Sequence, residues 1–185
     1  CFLVAGAGMD ASSIGIWFDQ PYASFKAGAI RVEVVDGWGD SAFVIRGNTD
    51  IVIDGVTIEP ITNFARTDPS IALYRRIRIT NCTGTIKGYF AKFHSTGTSG
   101  CQGCVISGNT IEIPATGGLL TTGDGVVDIL KSFSSIGNQI KDNVFHCFDS
   151  GYQAHAIRAD ITASLVMGNI MRNTQGVYIV ASNNK

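Results

Sequence analysis

Charge is scarce in this chain: 16% of its residues are Asp, Glu, Lys or Arg, and they nearly cancel, leaving a formal net charge of -1. So balanced a sequence has neither a basic field for nucleic acid nor an acidic tail, and no nucleic-acid partner is expected. Long hydrophobic runs are missing too. No window approaches the roughly 18 consecutive apolar residues of a spanning helix, so no membrane insertion is expected. The opening CFLVAGAGMD begins at Cys1 and lacks the basic region and apolar length of a signal peptide, so it reads as a processed or truncated start. A disulfide framework is also absent. Cys1, Cys82, Cys101, Cys104 and Cys147 form an odd, irregularly spaced set. Cys101-Gln-Gly-Cys104 has the spacing of a zinc half-site or redox pair, but there is no second CxxC and no His pair beside it, so no metal site is expected. Cys104 reads instead as a small apolar residue in a strand.

Amphipathic helices are the last absence: no interval contains a clean stretch of 10 to 15 residues with helical periodicity, which argues against a βαβ solenoid or doubly wound sheet. What the sequence does hold is 22 glycines and many β-branched and aromatic residues, a composition of strands joined by tight turns. Its 185 residues suit one domain with a substantial core.

One pattern returns along it. IVIDGVTI (51–58), IRITNCTGTI (77–86), VISGNTIEI (105–113), QIKDNVFHC (139–147) and LVMGNIMRN (165–173) are apolar strands, each broken by Gly or Asn. Their anchors Ile53, Ile79, Ile106, Ile140 and Val166 lie 26, 27, 34 and 26 residues apart. A second strand precedes each break: AFVIRG (42–47), IALYRR (71–76), FAKFHS (90–95), VVDILKS (126–132) and HAIRAD (155–160), with GVYIVAS (176–182) starting a further unit that the chain leaves unfinished. A unit of about 26 residues with two or three short strands buries its apolar side only by stacking on its neighbours. The expectation is therefore an all-β parallel β-helix, a solenoid of about six coils over residues 30–185, with 1–29 an opening coil, a cap or a loop. Asn109, Asn143 and Asn169 fall at one place in three coils, with Cys82 and Val56 there in two others, and the Asn and Gly at the break are expected to accept left-handed backbone at a corner.

This I-x-I-x-G-N-x-I rhythm resembles the pectate-lyase-like right-handed, single-stranded parallel β-helix superfamily, and most of all the trimeric tailspike and capsule depolymerase proteins of tailed bacteriophages. The resemblance implies a virion tail protein, a homotrimer, that binds and depolymerises a bacterial surface polysaccharide such as a capsule or O-antigen. The superfamily also implies two alternatives: a secreted, extracellular polysaccharide lyase or hydrolase acting as a monomer, and a non-catalytic virion or adhesin rod. One scaffold serves all three. GDGVV at 123–127 resembles the GDD segment of polygalacturonases only in part, with Gly125 where that segment has its second Asp.

The 34-residue interval holds the insertion IPATGGLLTTGDG (113–125), and loops on a rigid rod are where function gathers. Placing Ile45, Leu73, Phe93, Ile129, Ile157 and Ile179 inward turns Arg46, Tyr74, Lys92, His94, Asp128, Arg158 and Tyr178 outward as one polar and aromatic stripe. Asp128 then lies between Lys92 with His94 on one side and Arg158 on the other. Aromatic faces cover sugar CH groups while carboxylates and guanidiniums bind hydroxyls, so Lys92, His94, Arg158, Tyr74 and Tyr178 are the expected substrate-binding residues. Hydrolysis needs two carboxyls about 5.5 Å apart for retention or about 6.5 to 9.5 Å for inversion, and Asp124, Asp128 and Asp149 are the candidates. An eliminating reaction would use Lys92, His94 or Arg158 on a uronate. No cofactor is otherwise expected; Ca²⁺ belongs to that lyase case alone. Each candidate has a plainer reading: Asp128 as a surface ion pair, Asp124 and Asp149 as turn residues in GDG and DSGY, and His146 and His155 as strand-surface or satisfied core histidines.

Overall fold

The structure, a computed structural model, describes residues 2–5, 14–32, 41–47, 49–71, 73–94, 100–114, 120, 124–130, 135–148 and 154–180. Among them there is no helix, and every pairing between strands is parallel. The strands in chain order are β1 (Phe2–Ala5), β2 (Ile14–Phe18), β3 (Ser24–Lys26), β4 (Ala29–Val32), β5 (Ser41–Ile45), β6 (Val52–Asp54), β7 (Thr57–Ile61) and β8 (Ala65–Thr67). Next come β9 (Leu73–Arg75), β10 (Arg78–Thr80), β11 (Thr83–Ile86), β12 (Ala91–His94), β13 (Gly100–Gln102), β14 (Val105–Ser107), β15 (Thr110–Ile113) and β16 (Gly125–Leu130). The last are β17 (Gln139–Lys141), β18 (Val144–Cys147), β19 (His155–Asp160), β20 (Leu165–Met167), β21 (Ile170–Arg172) and β22 (Val177–Val180).

Three sheets take nearly all of them. The first runs β1-β4-β7-β11-β15-β18-β21, the second β2-β5-β8-β12-β16-β19-β22, and the third β3-β6-β10-β14-β17-β20; β9 and β13 pair separately. The chain visits first, second and third sheet in that order and then begins again, so each strand pairs with its counterparts one round before and after. In the third sheet the sequence anchors are direct partners: Phe25, Ile53, Ile79, Ile106, Ile140 and Val166 stack in one register. Residues before 30 join the same scheme, since β1, β2 and β3 pair in register with β4, β5 and β6.

The corners follow from backbone chemistry. Each third-sheet strand is bracketed by left-handed residues: Tyr22, Asp50, Arg76, Gly103, Gly137 and Ala163 stand two places before the strands, and Ala27, Gly55, Asn81, Gly108, Asp142 and Gly168 directly after them, all with φ between 45° and 67°. Gly and Asn reach this region at little cost, which is why they punctuate the sequence there. The asparagines one place further on have a different task from the one their position suggested. Asn109, Asn143 and Asn169 point inward as a ladder: Asn109 Nδ2 donates to Ile79 O at 3.0 Å and to Asn143 Oδ1 at 2.9 Å, and Asn143 Nδ2 donates to Ile106 O at 3.0 Å and to Asn169 Oδ1 at 2.8 Å. Their amides hydrogen-bond to buried backbone groups and to one another, so the polar side chains are satisfied inside the fold. Cys82 and Cys104 occupy the same kind of corner, their N–H groups donating to Asn109 Oδ1 at 2.9 Å and Asn138 Oδ1 at 3.0 Å.

Inside, Ile, Val and Phe from successive rounds form one core, with Phe43, Phe64 and Phe90 packed ring to ring at 5.2 and 5.0 Å. Tyr74 belongs to this interior. The alternation that put Leu73 inward fails, because residues 71–76 do not form the second-sheet strand of their round: β9 pairs with β13 and, through Arg75, bridges to Thr49, and β8 takes the second-sheet place instead. Tyr74 is fully buried, and its hydroxyl donates to Ile45 O and Asp68 O. It is therefore unavailable as a surface sugar platform.

Candidate functional site

The outward face of the second sheet carries an in-register row. Arg66 on β8 stands opposite Lys92 on β12, Lys92 opposite Asp128 on β16, Asp128 opposite Arg158 on β19, and Arg158 opposite Tyr178 on β22. Parallel pairing brings such residues to within one strand spacing, about 4.8 Å, although they lie far apart in sequence. The arrangement puts cation, cation, carboxylate, cation and aromatic ring along one line.

Asp128 is the most enclosed of them, its side chain 3% exposed, while that of Arg158 is 21% exposed. Arg158 Nε donates to Asp128 Oδ1 at 2.9 Å and Nη2 to Oδ2, a two-point fork. Burial pushes the Asp128 carboxyl above its ordinary value, against the pull of Arg158 and Lys92. Arg158 is in turn held up by its hydrogen bond to Asp128. A guanidinium does not release its proton in a protein, so the fork gives Asp128 a permanently cationic partner. Asp124 lies at the edge of the same group, 3.9 Å from Arg158 Nη2 and 37% exposed. Its backbone oxygen accepts from the N–H of His155 at 2.9 Å, which ties the end of the insertion to β19.

Two histidines flank the ion pair. His94, two residues beyond Lys92 on β12, has its backbone clamped by Thr67, whose Oγ1 accepts from His94 N and donates to His94 O, both at 2.8 Å. Burial, with Lys92 and Arg158 adding to it, lowers its imidazole to about 4, so it is neutral at pH 7. His155 stacks on Tyr178 with ring centroids 5.2 Å apart and planes 17° from parallel. Among the described residues, His94 Nε2 and His155 Nδ1 are the buried side-chain nitrogen or oxygen atoms that have no hydrogen-bond partner. Buried polar atoms are normally paired, so both ring nitrogens fall where a bound hydroxyl, a carboxylate or water would complete them.

Beside this row is a half-open pocket of about 260 Å³ lined by Arg66, Thr67, Pro69, Tyr89, Lys92 and His94. Tyr89 is positioned by a 2.8 Å hydrogen bond between its hydroxyl and Ser41 Oγ, and Lys92 Nζ lies 5.2 Å from its ring centroid.

Of the residues singled out from sequence, the fold gathers Lys92, His94, Asp124, Asp128, Arg158 and Tyr178 on one face. Tyr74 lies in the interior and Asp149 outside the described residues. Sequence reasoning passed over Arg66 and Tyr89, and it weighed His155 as a strand-surface or satisfied core histidine, whereas its Nδ1 is buried without a partner. Arg66 was findable: it lies 26 residues before Lys92, the same step as the anchors, but the three-residue strand Ala65–Thr67 is too short to stand out as a strand. The insertion does fall between β15 and β16, next to Asp124, though most of it lies outside the described residues. No group of three or more His, Cys, Asp or Glu suited to a metal ion occurs among the described residues. Comparison with protein-family models, with curated proteins and with solved structures finds no match to this chain.

Proposed function

We propose that the three sheets are the faces of one right-handed parallel β-helix, and that the second sheet is its polysaccharide-binding face. The cyclic order in which the chain visits the sheets supports the helix, and right-handed crossovers between parallel strands are the rule. The observation that carries the binding reading is the pair of buried, unpartnered imidazole nitrogens, His94 Nε2 and His155 Nδ1, on either side of the Asp128–Arg158 fork. Sugars supply hydroxyls for such atoms and apolar CH faces for Tyr178 and Tyr89. In the tailspike reading the ligand is a bacterial capsule or O-antigen, the working form is a homotrimer and the setting is a virion tail.

Cleavage is the second reading, favoured by a specific feature: Asp124 and Asp128 both approach Arg158 Nη2, which keeps their nearest oxygens within about 7 Å, compatible with a hydrolytic pair. Of the two, Asp124 is the one substrate can reach. For Asp128 to act as the second carboxyl, substrate would have to displace its Arg158 fork, and cleavage that survives Asp128→Asn refutes the pair.

The test is glycan binding followed by product analysis. The chain is titrated with capsular and O-antigen polysaccharides, and His94→Gln and Tyr178→Ala are expected to weaken binding without lowering the melting temperature more than a few degrees. Oligosaccharides released by the parent chain and not by Asp124→Asn add cleavage; a product absorbing as an unsaturated uronate assigns elimination. Binding that is indifferent to every substitution on the second sheet refutes the proposed face.

A further inference from the structure

The corner between the third and first sheets is built unlike the other two. The step from third sheet to first takes two residues in all six rounds, at 27–28, 55–56, 81–82, 108–109, 142–143 and 168–169. The other steps vary from three residues at 62–64 to eleven at 114–124. No loop arises at this corner, so a flat partner can lie along it. The faces flanking it are apolar in the last round: Leu165 and Met167 on β20 and Ile170 on β21 alternate with the inward Val166 and Met171 and stand exposed, and Phe148 is exposed one round earlier. Their side chains point sideways from the stack, so stacking at its end would leave their outer sides uncovered. Large apolar side chains gathered at a surface in this way mark an interaction site.

Charge decides what lies there. Lys141 faces out from the third sheet on β17, and Glu112 faces out from the first sheet on β15, one round below. Neither has an ion pair or side-chain hydrogen bond among the described residues. When the third sheet of one copy is set against the first sheet of another at equal height, Lys141 is offset from Glu112 by one strand spacing, about 4.8 Å, which the two side chains span. Leu165 and Met167 then meet Ile170 at one level. Arg78 on β10 stands in the same relation to Glu59 on β7; Glu59 already has an interaction within its own chain, so Lys141 and Glu112 are the pair to test. Third sheet against third sheet would instead set cations against cations. We infer that copies of this chain associate side by side through this corner, the third sheet of one on the first sheet of the next. Contact at equal height closes into a ring, whereas a rise from copy to copy would give an open filament. The second sheet lies away from the contact, so its candidate site stays open. From the tailspike reading this inference takes only the number of copies, three.

Light scattering of the full chain over a range of concentrations reads the mass of the assembly. It is applied to the parent, to Lys141→Glu, to Glu112→Lys, to the two combined, and to Arg75→Glu on β9, outside the three sheets. A parent assembly of three is expected. Each single reversal sets like charges across the contact and is expected to weaken association about tenfold or more, the combined variant to recover it within about threefold, and Arg75→Glu to change it less than about twofold. Recovery in the combined variant also shows that the single variants fold. A parent that stays monomeric overturns the contact and the copy number together, while glycan binding at the second sheet is decided by its own titration. An assembly of two that answers to the same reversals supports the contact and removes the trimer. A trimer that neither reversal weakens, that Arg75→Glu weakens equally, or that the combined variant does not recover overturns the contact and leaves the trimer standing.

Discussion

Replacing Arg158 by Met strips Asp128 of both its hydrogen bonds and leaves a carboxylate whose side chain is 3% exposed. Removing one partner of a buried pair costs about 3–5 kcal/mol, because the remaining charge stays desolvated. Lys92, in register on the other side, still attracts Asp128 and moves the expectation to the lower end, about 3 kcal/mol at neutral pH. In a chain of this size that is a fall in Tm on the order of 10 °C. The carboxyl escapes by taking a proton, and the direction is fixed. Burial already raises Asp128 in the folded chain, and without Arg158 it rises further, while the unfolded value stays ordinary. The folded state of the variant then binds more protons than the unfolded state, so the loss is small below about pH 4 and grows as pH rises through the raised value. Thermal and urea unfolding of the parent, Arg158→Met, Asp128→Asn and the double variant, each at pH 4.5 and pH 8, measure it. The double variant is expected to recover most of the loss. A deficit below about 1 kcal/mol at pH 8, or one of equal size at both pH values, refutes the account of Asp128 as a buried ion-pair member.

Three other consequences are open to measurement. His94, lowered from 6.5 to about 4, disfavours protonation in the fold, so stability is present above pH 6.5 and is lost as pH falls towards 4; His94→Gln is expected to flatten that slope, and NMR titration reads the imidazole directly. Asn143→Ala removes the acceptor of the Asn109 backbone N–H, one of the two acceptors of Asn109 Nδ2 and the side-chain donor to Ile106 O, and is expected to cost about 3 kcal/mol in chemical unfolding, several times an exposed Asn173→Ala. A Cβ at Gly84 would stand 2.0 Å from Ile58 O, backbone that cannot swing aside, so Gly84→Ala is expected to destabilise by more than 2 kcal/mol or so, whereas Gly176→Ala, with open space around it but φ +80°, should lose only about 1 kcal/mol.

The third sheet was the most legible part of the chain. Its strands are apolar at one repeating place and most are closed by Gly or Asn, and a period in sequence becomes a stack in space when each strand pairs with its copy one round later. Ile53, Ile79, Ile106, Ile140 and Val166 are readable as partners for that reason. The second sheet was harder, because its connections vary in length. Ala65–Thr67 is short, part polar and followed by a buried Asp68, while the neighbouring IALYRR looks more like a strand and is not part of that sheet. Choosing the wrong segment displaced Tyr74 to the surface and hid Arg66. On either side of that error the spacing of Lys92, Asp128 and Arg158 about their inward neighbours placed all three on one face.

By itself the sequence determined the repeat, the parallel strands, the corners and the side of the strand on which each charge lies, because alternation and left-handed turns are local properties of the backbone. Tertiary structure alone decided which charges meet. That Arg158 forks Asp128, that Asp124 touches the same nitrogen, that two imidazoles are left with an unpartnered atom and that Tyr74 is sealed inside all depend on distances across rounds of chain 20 to 36 residues apart, where burial and partner geometry are set by stacking and not by neighbours in sequence.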